Sequence, residues 1–70
     1  MKRTRVESSL IASIGYDPKK ESLELEFASG SIYRYVDVPE SEYRDLMKAE
    51  SIGRYVNWHI KDEYHYIRVR

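Results

Sequence analysis

The stretch Ser22-Leu23-Glu24-Leu25-Glu26-Phe27 alternates polar and apolar residues without interruption and is the clearest structural signal in the sequence. Such alternation is typical of a β-strand with one buried and one exposed face. The two leucines and the phenylalanine therefore form the inner face of a strand, and the two glutamates lie on its outer face. The elements on either side are predicted from their spacing to this strand.

A turn at Ser29-Gly30 leads into a second strand, Ser31–Val36, and the length of the turn decides which way its tyrosines face. A two-residue loop would place Arg34 on the apolar face, opposite Leu25. A three-residue loop with a left-handed glycine places Arg34 opposite Glu24 instead. We favour the longer loop because it pairs opposite charges and avoids a buried guanidinium. The tyrosines that then face inward are Tyr33 and Tyr35.

Another strand is predicted before this hairpin, over Leu10–Tyr16. It is followed by Asp17-Pro18-Lys19-Lys20, and aspartate and proline at the first two positions are typical of a type I turn. Alternation along the strand places four residues on one face, namely Leu10, Ala12, Ile14 and Tyr16.

Two helices are predicted after the sheet. Val38 precedes a proline and should be extended, so that Pro39 begins the first helix with Glu40 and Glu42 in its first turn. The buried stripe of this helix consists of Tyr43, Leu46 and Met47. Ser51 is predicted to cap the second helix. The core-facing stripe of the second helix consists of Ile52, Tyr55, Val56, His59 and Ile60.

The tail, residues 64–70, alternates again and predicts a short C-terminal strand. Ile67 and Val69 are expected to face inward, and Tyr66, Arg68 and Arg70 outward. The sequence therefore predicts an α+β fold of order β-β-β-α-α-β, a three-stranded antiparallel meander packed by two helices with a short fourth strand. Residues 1–70 form a single domain, and residues 1–7 are expected to be a flexible basic N-terminus.

Composition excludes several classes of protein. The 70 residues contain no cysteine, which removes disulfides and thiolate chemistry, and no apolar run is long enough to span a membrane. Without a signal peptide, the chain is expected to be cytoplasmic.

Charge is unevenly distributed along the chain, although the net charge is zero. Residues 1–20 carry five basic and two acidic groups, and residues 51–70 carry four and two, whereas residues 21–50 carry three and eight. If the two ends meet, a basic face opposes an acidic one. The alternative is a chance asymmetry of a highly charged surface.

The sequence contains little that supports catalysis or metal binding. The two histidines are His59, on the predicted buried stripe, and His65, in the tail. No serine is spaced to pair with either of them, and two histidines without cysteine do not make a tetrahedral metal site. We expect no catalytic residues, no metal and no cofactor.

A row of polar and aromatic side chains is predicted on the outer face of the second helix, consisting of Arg54, Asn57, Trp58 and Lys61. An exposed tryptophan beside cations can stack on a nucleic-acid base while the cations hold phosphates. Arg68 and Arg70 extend the row if the tail lies nearby. Alternatively, Trp58 packs against the tail or mediates contact with a protein or a second copy of the chain, since tryptophan is also enriched in protein interfaces.

Two further sites each have two interpretations. Ser51 and Gly53 could hold an anion at the start of the second helix, or they could serve as a helix cap and a close packing point. The pair Tyr33 and Tyr35 could stack on bases as sheet aromatics do in RNA-binding domains. The favoured hairpin register argues against this use because it turns both rings inward.

The chain resembles the KTSC domain family, which is named after the C-terminus of certain lysyl-tRNA synthetases and also occurs as free-standing small proteins. The resemblance spans roughly residues 6–69 and combines the tyrosine pair with a Ser-x-Gly-x-Tyr-x-Asn run in the second helix. The residues that carry it are Ser8, Ser9, Gly15, Tyr16, Leu23–Phe27, Gly30, Tyr33–Tyr35, Val38, Pro39, Ala49, Ser51, Gly53, Tyr55, Asn57 and Ile60. It implies a stand-alone domain without established activity, for which association with a tRNA-charging enzyme suggests RNA binding. We therefore expect a small non-enzymatic module that binds RNA, with a protein-interaction module as the alternative.

Overall fold

A computed structural model describes all residues, 1–70, and shows a five-stranded antiparallel sheet in the order β1-β2-β3-β4-β5. Its strands are β1 Arg3–Arg5, β2 Ile11–Asp17, β3 Ser22–Phe27, β4 Ile32–Tyr35 and β5 Tyr66–Arg68. Helix α1 spans Glu40–Lys48, and helix α2, Ile52–Tyr55, continues into a π-helical turn, Val56–Ile60. The α+β class is confirmed, but the predicted meander of three strands with a fourth understates the sheet.

The additional strand is β1, which lies in the segment expected to be flexible. It pairs with β2, with Arg3 opposite Gly15. A Cβ atom on Gly15 would lie 2.9 Å from the Cγ of Arg3 and 3.0 Å from the carbonyl oxygen of Lys2. Gly15 therefore lets the N-terminal strand lie close against β2, a packing requirement that the polar sequence of β1 does not reveal.

The hairpin between β3 and β4 has the predicted three-residue loop. Leu25 pairs with Tyr33, Leu23 with Tyr35, and Glu24 with Arg34. Gly30 adopts a φ of 99°, the left-handed conformation that this loop requires. The prediction that both tyrosines turn inward is confirmed.

The N-terminal half of β2 departs from the predicted alternation. A β-bulge lies between Ile11 and Ser13, so one extra residue of β2 stands opposite β3. Ile11 is consequently buried in the core, while Leu10 and Ala12 are only partly buried. The predicted facing is wrong before the bulge and correct after it, where Ile14 pairs with Leu25 on the inner face.

The second helix widens where its core contacts are made. The backbone N–H of Lys61 donates to the carbonyl oxygen of Val56 at 2.8 Å, the five-residue spacing of a π-helix. Val56 and Ile60 lie four residues apart on the core-facing side of this turn and are fully buried. Each residue advances less around the axis than in an α-helix, which carries the residue three positions after Val56 further from that side. His59 is turned out to solvent, and its predicted burial is wrong.

The tail forms the edge strand β5, but its predicted facing is reversed. Tyr66 stands opposite Tyr35, and residues directly opposite share a face, so Tyr66 lies on the inner side of the sheet. Ile67 and Val69 point to the outer side, where they are 58% and 47% exposed. The ladder with β4 sets this register, and the apolar character of the two side chains does not override it.

The hydrophobic core lies between the inner face of the sheet and the helices. Nine buried residues form it: Ile11, Ile14, Leu23, Leu25, Tyr35, Val38, Leu46, Val56 and Ile60. Neither helix has the length and apolar character that crossing a membrane would need. The two sheet edges, β1 and β5, lie four strand spacings apart, about 19 Å. The N-terminal strand and the C-terminal strand therefore lie at opposite edges of the sheet.

Candidate functional site

The seven tyrosines fall into two groups on the inner side of the sheet. The first, which we call the Glu42 cluster, consists of Tyr55 and Tyr64, which contact the carboxylate of Glu42, and of the stacked pair Tyr16 and Tyr43. The second lines an open cleft between β4, β5 and the second helix. It comprises Tyr33, Tyr35 and Tyr66, together with Phe27.

Hydrogen bonds satisfy three hydroxyls of the Glu42 cluster. Tyr55 and Tyr64 both donate to Glu42, the latter at 2.9 Å, and Tyr16 donates to the carbonyl oxygen of Val38 at 2.5 Å. Burial, followed by the hydrogen bond to Glu42, raises the pKa of Tyr64 to about 12 and also raises the pKa of Tyr55. The cluster joins α1 to the second helix and to its exit, and we assign it a structural role.

The second group lines what we call the aromatic cleft, a space of about 280 Å³. Tyr33 and Tyr66 stack with ring centroids 4.8 Å apart and planes 7° apart, and Phe27 packs against Tyr33 at 5.3 Å. Tyr66 remains 52% exposed despite this stacking, since β5 is an edge strand. An aromatic wall of this kind can hold a planar ligand by stacking.

Polar side chains surround the aromatic cleft. Asn57 and Lys61 reach it from the second helix, next to Asp62, and Ser29 and Ser31 reach it from the β3–β4 loop. None of the hydrogen bonds or ion pairs within the protein involves the side chain of Asn57 or Lys61. The rim therefore offers an amide and an ammonium group that are free to contact a ligand.

The floor of the cleft adds a hydroxyl. Tyr35 is only 1% exposed, and its hydroxyl makes no hydrogen bond within the protein. No buried polar side-chain atom lacks a partner, so this hydroxyl must reach the solvent of the cleft. Burial, with smaller contributions from Tyr66, Tyr33 and Asp62, raises its pKa to about 12, which keeps it protonated as a donor.

The row predicted on the second helix is divided between two surfaces. Trp58 is 70% exposed and lies opposite the buried Val56 and Ile60. Together with Arg54 it borders a depression that also includes Tyr55 and His59, whose rings are 4.5 Å apart. The other members of the row, Asn57 and Lys61, border the aromatic cleft instead.

The two C-terminal arginines have different positions. The Nη2 of Arg68 donates to the Oγ of Ser31 at 3.2 Å, which places its guanidinium at the rim of the aromatic cleft. Arg70 is exposed, and its backbone pairs with that of Ile32. The structure therefore places Arg68 beside Ser31, which lines the same cleft as Asn57 and Lys61, and it gives the side chain of Arg70 no comparable contact.

At the N-terminal edge, cations are neutralised within the fold. Glu24 is 4% exposed and lies between two guanidinium groups. It accepts from Arg3 and, at 3.1 Å, from Arg34. These two arginines are engaged on the outer face of the sheet, and the free cations of the second helix lie on the other side.

The start of the second helix has local structural explanations. The Oγ of Ser51 accepts from the backbone N–H of Arg54 at 3.3 Å, which is the predicted cap. A Cβ on Gly53 would lie 3.4 Å from the Cβ of Leu10 and 3.5 Å from the Oγ of Ser8. Gly53 thus packs against the segment before β2, and an anion site at Ser51 and Gly53 stays a prediction.

The position of Tyr66 is what sequence reasoning missed. Its predicted outward facing followed from the apolar residues beside it, whereas the register with β4 turns it onto the tyrosine pair. The signal available in the sequence was the aromatic character of Tyr66 itself, at one of the alternating positions of the C-terminal strand. Tyr33 also faces inward, but it can still contact a ligand, because the helices leave the inner face of the sheet open near β5.

A small α+β domain with an open aromatic cleft and an exposed tryptophan is consistent with a binding module. Residues 7–64 match the KTSC domain family, and the chain belongs to that family. A crystal structure of a KTSC domain protein from Yersinia pestis superimposes with a TM-score of 0.96 at 38% identity, covering 99% of this chain and 97% of that one.

Relatives include both small proteins and larger enzymes. An uncharacterised protein of Stutzerimonas stutzeri is 44% identical over 70 residues, covering 99% of each chain. A lysine–tRNA ligase of Nostoc punctiforme is 41% identical over 58 residues, which are 83% of this chain and 10% of the ligase. The same domain thus occurs alone and as a minor part of a tRNA-charging enzyme.

Proposed function

We propose that this KTSC domain is a non-enzymatic module that binds single-stranded RNA, with Trp58 stacking on an unpaired base. The observation that carries the proposal is the exposure of this lone tryptophan, which leaves 70% of its surface in solvent. One base stacked on an aromatic side chain contributes roughly 1–3 kcal/mol. Tryptophan is enriched at binding surfaces, and an exposed indole beside cations suits a partner that covers it by stacking.

Free positive charge beside the ring supports a nucleic-acid partner. Arg54 borders the same depression as Trp58, and the ion pairs of the protein involve neither Arg54 nor Lys61. Cations without an internal partner can neutralise phosphates and release the counterions around them. The overall charge of zero predicts weak, salt-sensitive binding rather than tight non-specific attachment.

Relatives point to the same kind of partner. The lysine–tRNA ligases that contain the domain act on tRNA, as their name states. In such an enzyme, a domain of this family would add contacts between the enzyme and its tRNA. RNA as the partner also fits the expected cytoplasmic location, and the proposed function requires no cofactor.

A second candidate is self-association through the C-terminal edge. Strand β5 has a free edge, and Ile67 and Val69 are exposed beside it on the outer face of the sheet. An exposed edge strand with apolar side chains can pair with the same strand of a second copy. This candidate uses a different face from Trp58, so the two can be tested separately.

Titration of the protein with short oligouridylate and oligoadenylate, followed by tryptophan fluorescence, tests RNA binding directly. Trp58 is the only tryptophan, so the signal reports its own surroundings. We expect quenching at low salt that weakens as salt rises. No quenching at low salt, together with a sedimentation coefficient that rises with protein concentration, would contradict RNA binding and favour self-association.

Variants locate the contact, with labelled RNA and fluorescence anisotropy as the measurement. Trp58→Ala should weaken binding about fivefold or more while leaving the melting temperature nearly unchanged. Arg54→Ala should weaken binding and reduce its salt dependence. Arg44→Ala is the matched control, because Arg44 is also exposed but lies on α1, paired with Glu40 at 3.5 Å. Equal effects of the two arginine variants would show that only net charge matters.

A further inference from the structure

The aromatic cleft has the dimensions of a site for one small planar group. Its volume of about 280 Å³ lies just below the range of roughly 300–1,000 Å³ typical of small-molecule sites. A single base with part of its sugar fits such a space, whereas two stacked nucleotides do not. Size therefore restricts the occupant to one nucleotide of a strand.

The walls and floor of the cleft suit the face and edge of a base. Tyr66 is half exposed and stacks on Tyr33, and Phe27, which also lines the cleft, packs against Tyr33. The hydroxyl of Tyr35 opens into the same space without a partner in the protein. Stacking surfaces combined with a few unpartnered polar groups are how proteins recognise unpaired bases.

The rim supplies both hydrogen-bonding and charged groups. The carboxamide of Asn57 can donate and accept at once, which matches the edge of a base. Lys61 stands on the helix side, and Arg68 stands across the cleft, 3.2 Å from Ser31. A phosphate on either side of the base is therefore within reach of a cation, and Asp62 can accept from the ribose hydroxyls.

The cleft borders the surface proposed to bind RNA. Asn57, on the cleft rim, and Trp58, on the exposed face, are consecutive residues of the π-helical turn. A single RNA strand that crosses this helical turn can place one base on each side of the helix. The two surfaces are thus parts of one path rather than competing sites.

We infer that the aromatic cleft receives one unpaired base of the bound RNA, stacked against Tyr66 and read at its edge by Asn57. This inference rests on the proposed RNA binding and adds a second, base-selective contact to it. Trp58 supplies stacking that any base can provide, whereas the polar groups around the cleft distinguish bases by the pattern of their donors and acceptors.

The test compares matched leucine variants in the two tyrosine stacks. Tyr66→Leu removes a ring from the cleft, and Tyr43→Leu removes a ring from the Tyr16 stack, whose centroids are also 4.8 Å apart. We expect Tyr66→Leu to weaken binding of labelled oligonucleotides at least fivefold and Tyr43→Leu to leave the affinity unchanged. Circular dichroism of each variant verifies that it is folded before binding is measured.

A second variant tests recognition rather than stacking. Asn57→Ala keeps the fold, because the side chain is exposed, and should reduce the difference in affinity between oligoadenylate and oligouridylate. Quenching of Trp58 by RNA, with unchanged affinity and base preference in both the Tyr66 and Asn57 variants, would overturn the cleft inference alone. Absence of any RNA binding to the wild-type protein would overturn the proposed function and the inference together.

Discussion

Two tyrosine stacks in this protein have nearly identical geometry and different surroundings. Tyr16 and Tyr43 stack at 4.8 Å with planes 8° apart, and Tyr33 and Tyr66 stack at 4.8 Å with planes 7° apart. The first stack lies beside α1, where Tyr16 donates to the backbone of Val38. The second stack ends at an edge strand, where one ring remains half exposed.

The difference shows that stacking geometry alone does not define a binding surface. In the Glu42 cluster a single carboxylate accepts two tyrosine hydroxyls, so polar groups and rings are both engaged within the fold. In the aromatic cleft the rings meet each other, but the hydroxyl of Tyr35 and the exposed amide of Asn57 border the cleft without a partner in the protein. Unsatisfied hydrogen-bonding capacity next to an aromatic wall is what distinguishes the cleft as a candidate site.

Removal of one ring from each stack should give the largest difference in the free energy of unfolding. We expect Tyr43→Ala to lower the free energy of unfolding by about 2–3 kcal/mol, because it leaves Tyr16 without its partner against the core. Tyr66→Ala should cost about 1 kcal/mol or less, because the ring is half exposed. Urea denaturation followed by circular dichroism measures both values. A loss for Tyr66→Ala as large as that for Tyr43→Ala would show that the cleft rings are chiefly structural.

Loss of the shared carboxylate should have the next largest effect. Glu42→Ala leaves the hydroxyls of Tyr55 and Tyr64 without their acceptor, and we expect a loss of about 2 kcal/mol in the same unfolding measurement. Glu42→Gln should cost less, since the amide oxygen can still accept. Glu40→Ala is the control, because Glu40 is exposed and makes one surface ion pair with Arg44. A change of about 0.5 kcal/mol or less is expected for the control.

Alkaline titration should give the smallest effect. The pKa values of Tyr35 and Tyr64 are both raised from 10.0 to about 12 in the folded protein. Their contribution to stability is therefore complete below pH 10 and is lost as the pH rises from about 10 towards 12. Tyrosinate absorbance should show these residues ionising late, and Glu42→Gln should lower the pKa of Tyr64 without changing that of Tyr35. Simultaneous ionisation of all tyrosines near pH 10 would contradict the assigned environments.

Much of the fold could be predicted from the sequence because neighbouring residues determine it. The loop before Ile32 needs a left-handed residue, and Gly30 provides it, so the register of Glu24 with Arg34 follows from turn geometry and charge pairing. The cap at Ser51 is equally local. The exposure of Trp58 also followed from helical spacing, because it lies opposite Val56 and Ile60 in either kind of turn.

Contacts between segments distant in the sequence decided the facing of the tail and the position of the cleft. The pairing of β5 with β4 sets which way the tail faces, and this places Tyr66 rather than Ile67 on the inner side. The π-helical turn carries His59 away from the core-facing stripe, and the predicted row is divided, with Asn57 and Lys61 at the cleft and Arg54 and Trp58 at another depression. Sequence by itself thus determined the three strands of the central meander, the hairpin register and the lone exposed indole, since turn chemistry and periodicity act between near neighbours. Only the tertiary structure decided where a cleft opens, because that depends on how far two helices extend over a five-stranded sheet.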